Sequence, residues 1–193
     1  MIAIVVLLAL LVALIVYCAG IYNGLVGLRE NVKVAWANID VLLKQRHDEL
    51  PKLVETCKRY MQFEQETLAR VMRARASVDQ ASTSGDIAAV GAAEQQLRAG
   101  VGRLFAVAEN YPQLKTDETF KQLQNRIIAL EESIADRREL YNDQVNLNNI
   151  RVHVFPDVVI AQRFRFMPAQ LLEFASEEKR DVDVGALFST FGG

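Results

Sequence analysis

Residues 1–19 read MIAIVVLLALLVALIVYCA, an unbroken apolar run. As a helix rising about 1.5 Å per residue it would measure roughly 28 Å, close to the ~30 Å hydrocarbon core of a bilayer. No Asp, Glu, Lys or Arg precedes Arg29, so all 24 acidic and 22 basic residues fall in the rest of the 193-residue chain. One part of the chain is written for lipid and the other for water. A cleaved signal peptide would want a basic leader, a shorter apolar stretch and a small-x-small site. A lipoprotein site at Cys18 would want small residues where Val16 and Tyr17 stand. The run is therefore expected to be an uncleaved transmembrane anchor over residues 1–24.

Arg29, Lys33 and Lys44 follow the run, and only the α-amino group precedes it. By the positive-inside rule the N-terminus is expected outside and the body in the cytoplasm. Tyr17 and Tyr22 stand where amphipathic rings sit at a membrane interface. Gly20 and Gly24 have the GxxxG spacing that lets two helices approach closely in lipid. The same glycines also suit a loose membrane exit, and the pattern leaves both readings open.

Beyond the anchor, an apolar stripe at spacings of three and four includes Leu25, Leu28, Val32, Ile39, Leu42, Leu50, Leu53, Cys57, Tyr60, Leu68, Val71 and Val78. It keeps its phase across Pro51, which favours one long helix, kinked there, from residue 25 to about 81, while Asp48 followed by Pro51 could instead cap a fresh helix, so that boundary stays open. Ser82, Thr83, Ser84, Gly85 and Asp86 form a breaker cluster. A second helix is expected over 86–110, with Gly91, Gly100 and Gly102 allowing close packing against a neighbouring helix. Residues 110–115 read as a loop that ends the second helix, with Pro112 as its stop, and Thr116 as the N-cap of a third helix carrying Phe120, Leu123, Ile127, Leu130, Ile134, Tyr141, Val145 and Val152. The expected fold is all-α: a single transmembrane helix continuing into an elongated antiparallel bundle of three to four long helices. Residues 25–156 would form the bundle and 157–193 an amphipathic segment and tail. A first helix reaching residue 81 would be roughly 85 Å long against about 37 Å for the second. Part of its stripe would then need covering by other segments or by another copy of the chain.

A net charge of −2 argues against a dedicated nucleic-acid binder. GxSxG, Walker A, HExxH and Rossmann signatures are absent from the sequence. His47 and His153 are the only histidines, no CxxC occurs, and Cys57 lies on the apolar stripe, where a buried reduced thiol is expected. The polar residues set among the stripes carry the interest: Asp40, Lys44, Arg46 and Glu64 early in the chain, and Glu131, Arg138, Asn142 and Asn149 later. Glu131 and Arg138 are seven apart, as are Asn142 and Asn149, so each pair shares a helix face. An acid/base or di-metal site would be the chemical reading, but a bundle di-iron centre wants Glu-x-x-His motifs, which the sequence lacks. Interhelical hydrogen bonds and ion pairs that fix register are the expectation.

These positions resemble the LemA family. The first block of resemblance runs through Tyr22-Asn23, Leu25, Arg29, Ala35-Trp36, Ile39-Asp40-Val41, Leu43-Lys44, Arg46, Asp48, Leu50-Pro51 and Leu53-Val54-Glu55, and reaches Tyr60, Glu64, Leu68, Val71 and Arg75. The second holds Glu109, Tyr111-Pro112, Leu114-Lys115, Phe120, Leu123-Gln124, Glu131, Ile134, Arg138, Tyr141-Asn142, Val145, Asn149 and Phe155-Pro156. Departures are Cys57 for an aliphatic residue, Asn148 where Tyr is frequent, and Arg165 where Gly is usual. The resemblance implies a single-pass protein of the bacterial inner membrane, with an outside N-terminus and a cytoplasmic helical bundle. It implies no established enzymatic activity, cofactor or small-molecule substrate. Some relatives belong to magnetosome-membrane formation, which suggests membrane organisation.

Residues 158–174 combine Arg163 and Arg165 with large apolar side chains. They are read as packing Phe155, Phe164, Phe166 and Phe174 over the exposed bundle stripe, with an interfacial lipid anchor as the alternative. Residues 176–193 read as a charged spacer ending in Leu187, Phe188 and Phe191. The function expected is a non-enzymatic, self-associating membrane scaffold whose partners are the bilayer and other copies of the chain. The alternative is a monomeric adaptor that recruits a protease or signalling partner, which the sequence does not name.

Overall fold

The computed structural model describes residues 1–173, so the expectations for Phe174 and for residues 176–193 lie outside the described residues. Among the described residues there are six helices and no strands: α1 (Ile2–Lys58), α2 (Gln65–Ser84), α3 (Ile87–Ala108), α4 (Pro112–Thr116), α5 (Glu118–His153) and α6 (Asp157–Phe164). They divide into two compact units, one of Met1–Lys52 with Gln122–Leu171 and one of Leu53–Lys121 with the described residues that follow Leu171.

In the first unit α1 pairs with α5 in antiparallel fashion. Trp36 meets Tyr141 edge-on with ring centroids 5.6 Å apart, and ten residues further along α1 Arg46 reaches Glu131 at 3.2 Å. Leu25, Ile39, Leu43 and Leu50 bury on one side, Ile127, Ile134, Tyr141, Val145 and Val152 on the other. Three-and-four spacing places each set along one helical face. Pro51 lies inside α1. The long helix is thus continuous through the proline, as the phase of the stripe predicts.

That helix nevertheless stops at Lys58, not near residue 81. Tyr60 and Met61 both donate their amides to the Cys57 carbonyl, at 3.0 and 2.8 Å, and Glu64 donates to Met61 at 3.1 Å. In this second unit α2 and α3 pack as a hairpin, turned by Gly85 at φ 71°. Asp86 caps α3, its Oδ1 accepting from the amides of Ala88 and Ala89 at 3.0 and 3.2 Å. Because α1 ends early, the premise that a short second helix leaves a much longer first one uncovered no longer holds.

Two local expectations change as well. Residues 112–116 form the short helix α4 where a loop is expected. The N-cap of α5 is Asp117, whose Oδ1 accepts from the Phe120 amide at 3.0 Å, while the Thr116 hydroxyl donates backwards to the Gln113 carbonyl at 2.9 Å. Of the helix-three glycines, Gly100 lies against Val71 of α2. At Gly91 an added methyl would overlap the carbonyl of Glu173, so that glycine admits a crossing segment of backbone, not a helix.

Candidate functional site at the membrane exit

The first unit holds two candidate regions: a polar seam between α1 and α5, and an aromatic collar where the apolar run of α1 ends. In the seam, the buried Arg46 donates from Nη1 to Glu131 Oε1 at 3.2 Å. One turn along α1, the buried Glu49 offers one carboxylate oxygen to Arg126 of α5 at 3.2 Å and the other to Lys52 at 3.2 Å. Asp40 and Lys44 are exposed on α1, Arg138 and Asn142 half-buried on α5. Glu64 belongs to the second unit, where its carboxylate accepts from the Thr67 hydroxyl at 3.4 Å. The structure therefore joins Arg46 to Glu131 directly, and adds Glu49 and Arg126, which the sequence signals only as opposite charges near an apolar stripe.

Asn149 has a different task from spanning two helices. Its Nδ2 donates to the Ala169 carbonyl at 2.9 Å and its Oδ1 accepts from the Ala169 amide at 2.8 Å. One side-chain amide thus satisfies both backbone polar groups of a single non-helical residue. Tyr141 adds a bond from its hydroxyl to the Gln170 carbonyl at 2.8 Å, and burial raises its phenol above the ordinary value. Together they tie down the segment after α6, a contact to which no local sequence motif points.

That segment closes the collar. The amides of Phe166 and Arg165 donate to the carbonyls of Ala161 and Gln162, at 2.9 and 3.3 Å. This is a Schellman ending with Arg165 in the left-handed region at φ 57°. The turn buries Phe166 with Ala161 against Ile21 and Leu25 of α1 and Val152 of α5. Tyr22 packs edge-on against Phe164 and Phe166, with centroids 4.9 and 5.6 Å away, and the Arg29 guanidinium lies 5.4 Å from the Phe166 centroid. Arg151 of α5 is paired with the buried Asp157 at the start of α6, and the Arg151 guanidinium would lie 3.4 Å from a methyl group at position 24. A methyl group on Gly20 would meet no atom of the described residues within 4 Å. Of the aromatic residues expected to cover the stripe, Phe166 is buried, whereas Phe155 stays 79% exposed and Phe164 about half exposed.

Titration adds little chemistry. Burial pushes the Cys57 thiol up to about 12, so it stays protonated and unreactive at neutral pH. His47 is half-buried and His153 exposed, its Nδ1 2.7 Å from the Asn149 carbonyl oxygen. The described residues contain no group of three His, Cys, Asp or Glu able to hold a metal ion.

These features define a class: an all-helical protein in which an N-terminal helix, apolar and long enough to cross a membrane, runs unbroken into an antiparallel helix pair. The family model described as LemA family matches residues 35–185, and the chain belongs to that family. It is 24% identical over 160 residues to Magnetosome protein MamQ 2 of Paramagnetospirillum magneticum, a match covering 70% of this chain and 58% of that one. The same values relate it to Magnetosome protein MamQ of Magnetospirillum gryphiswaldense. Protein LemA of Metamycoplasma hominis is 24% identical over 165 residues, covering 86% of this chain and 74% of the other. The match therefore spans little more than half the length of the magnetosome proteins.

Proposed function

We propose that this chain is a non-enzymatic, single-pass scaffold of the bacterial inner membrane that self-associates through its helical body. The continuity of α1 carries the reading: one helix of 57 residues holds both the apolar run and the seam with α5. Such a helix couples the anchor to the body without a flexible joint, which suits a part that positions other molecules. Self-association is supported by apolar side chains turned away from the α1–α5 core. Val34 and Val41 on α1, and Leu140 and Leu147 on α5, are all exposed. Each pair is seven residues apart, the spacing of a face that seats another helix. The seam residues Arg46, Glu131, Glu49 and Arg126 would fix the register of the pair that presents those faces. Arg29, Lys33 and Lys44, following the span, favour a cytoplasmic body and an outside N-terminus.

The mass of the full chain in nanodiscs or mild detergent tests the reading. A dimer or larger assembly that Val41→Asp with Leu147→Asp returns to monomer is the expected result. A strict monomer at all concentrations would leave the adaptor that recruits a protease or signalling partner as the better account. Protease protection in spheroplasts tests orientation separately: a body digested from outside the cell overturns the cytoplasmic placement.

A further inference from the structure

An aromatic and basic surface is held at a fixed depth beside α1. A helix crosses the hydrocarbon core in about 20 residues, so a span starting at Ile2 ends near Ile21. The turn after α6 packs on the next stretch, from Ile21 through Tyr22 and Leu25 to Arg29. That stretch covers about 12 Å of axis, and the headgroup layer on each side of a bilayer is about 5–8 Å deep. Phe164, edge-on to Tyr22 with centroids 4.9 Å apart, lies level with the top of the span.

The two faces of α6 differ. Asp157 and Ala161 are buried on the inner face. Outside, Val159 and Phe164 are 56% and 53% exposed, and Phe155 just before the helix is more exposed still. Arg163 stands one turn from Val159 and lies 5.7 Å from the Phe164 centroid, and Arg165 follows. The two carboxylates of the collar, Asp157 and Glu30, are paired with Arg151 and with Arg29 and Lys33 respectively. Among the described residues no carboxylate is paired with Arg163 or Arg165, so the outward surface joins large apolar side chains to positive charge, the composition of an interfacial anchor.

We propose that Phe155, Val159, Arg163, Phe164 and Arg165 form a bilayer-surface site that takes anionic phospholipid headgroups, with the rings at the acyl boundary and the arginines on the phosphates. The site gives the chain a second, peripheral hold on the membrane from which α1 emerges, and it fixes the rotation of the body about the α1 axis. This rests on the reading that α1 spans the membrane.

The test uses the full chain in nanodiscs of phosphatidylcholine alone or mixed with phosphatidylglycerol. A Val159→Cys variant in a Cys18→Ser background carries an environment-sensitive fluorophore, and nitroxide-bearing lipids act as depth quenchers. Hydrogen exchange over residues 157–165 is followed in parallel on the unmodified chain, which needs no variant to fold. The label is expected to be quenched by headgroup-level nitroxides. Exchange should slow in the anionic discs, and Arg163→Ala with Arg165→Ala should reduce that protection by roughly fivefold per arginine. If the chain is extracted from vesicles by carbonate, the spanning reading and this one fall together. If it is retained while the label is unquenched and exchange is the same in both lipids, this proposal alone is overturned. Protection equal in both lipids with strong quenching overturns the anionic preference.

Discussion

Pro51 and the turn at residues 59–64 lie within thirteen residues of each other and break the same local rule in opposite directions. At Pro51 the chain carries the strongest helix breaker and stays helical. At residues 59–64 it carries RYMQFE, with no Gly, Pro or Asn, and leaves the helix. The surroundings explain both. Leu50 and Leu53 beside Pro51 are fully buried, as is Cys57, and Arg46 and Val54 nearly so. Burying a leucine contributes about 1.5–3 kcal/mol, so two of them offset the ~3 kcal/mol that an interior proline costs. At the turn, Phe63 is 95% exposed and only Met61 is buried. A helix extended through this stretch would set Glu64 on its inner face. The turn instead buries Met61 and lets the Tyr60 hydroxyl donate to Asp117 at 2.9 Å. Propensity decides a helix end only where burial is silent.

Truncating the burial should break this comparison most strongly. Leu50→Ala is expected to lower the unfolding free energy of the detergent-solubilised chain by about 2–5 kcal/mol, read by chemical denaturation. Loss of helicity confined to residues around 51 under hydrogen exchange would be the local signature. Pro51→Ala should act in the opposite direction, with a gain of up to about 3 kcal/mol. A loss on Pro51→Ala would show that the ring itself is packed and that the position is not merely tolerated.

The turn is sharpened by a smaller change, Tyr60→Phe. The Phe120 amide first, and the Tyr60 hydroxyl next, hold the Asp117 carboxyl below its ordinary value. The hydrogen bond to Asp117 first, and then burial, hold the Tyr60 phenol above its own. A carboxyl with a lowered value stabilises the fold above the ordinary carboxylate range and loses that contribution as pH falls through the lowered value. A raised phenol stabilises below its ordinary value and loses the contribution as pH rises through the raised one. The penalty of Tyr60→Phe should therefore be flat between about pH 5 and 9 and shrink at both extremes. A penalty that persists undiminished in acid would assign the turn to Met61 packing instead.

The same contrast separates what the sequence discloses from what it hides. The apolar run of α1, the phase across Pro51, and the Gly85–Asp86 hairpin are all legible, because each is written in local periodicity or turn chemistry. Arg46 and Glu131 are legible as polar residues on apolar stripes, although their mutual contact is not. The end of α1 at Lys58 is hidden, since the stripe continues in phase through Tyr60 to Leu68 and the contact that matters lies 57 residues away at Asp117. The clamp of Asn149 on Ala169 is hidden too: it joins a helix to an irregular segment 20 residues on, with no repeat to betray it. Gly91 is visible as a costly helical glycine, but only the backbone crossing at Glu173 shows why it is there.

Arg165 is a third violation of a local rule, and it tests how far burial reaches as the explanation. It is the only non-glycine residue at positive φ among the described residues. Its side chain is exposed, so burial of the arginine cannot compensate for the conformation. A non-glycine residue in the left-handed region costs roughly 1–2 kcal/mol, part of which Gly would return through its greater freedom in the unfolded chain. Arg165→Gly should therefore stabilise the detergent-solubilised chain by about 1 kcal/mol, the smallest of these effects, measured by thermal unfolding. The Schellman turn and the seating of Phe166 on Leu25 should survive, because a glycine adopts the same backbone without strain. If the arginine serves the bilayer surface, the same variant should lose part of the anionic-lipid protection of α6 while gaining stability. A variant that gains stability and keeps its full lipid response would make the strain at Arg165 a cost without a membrane return.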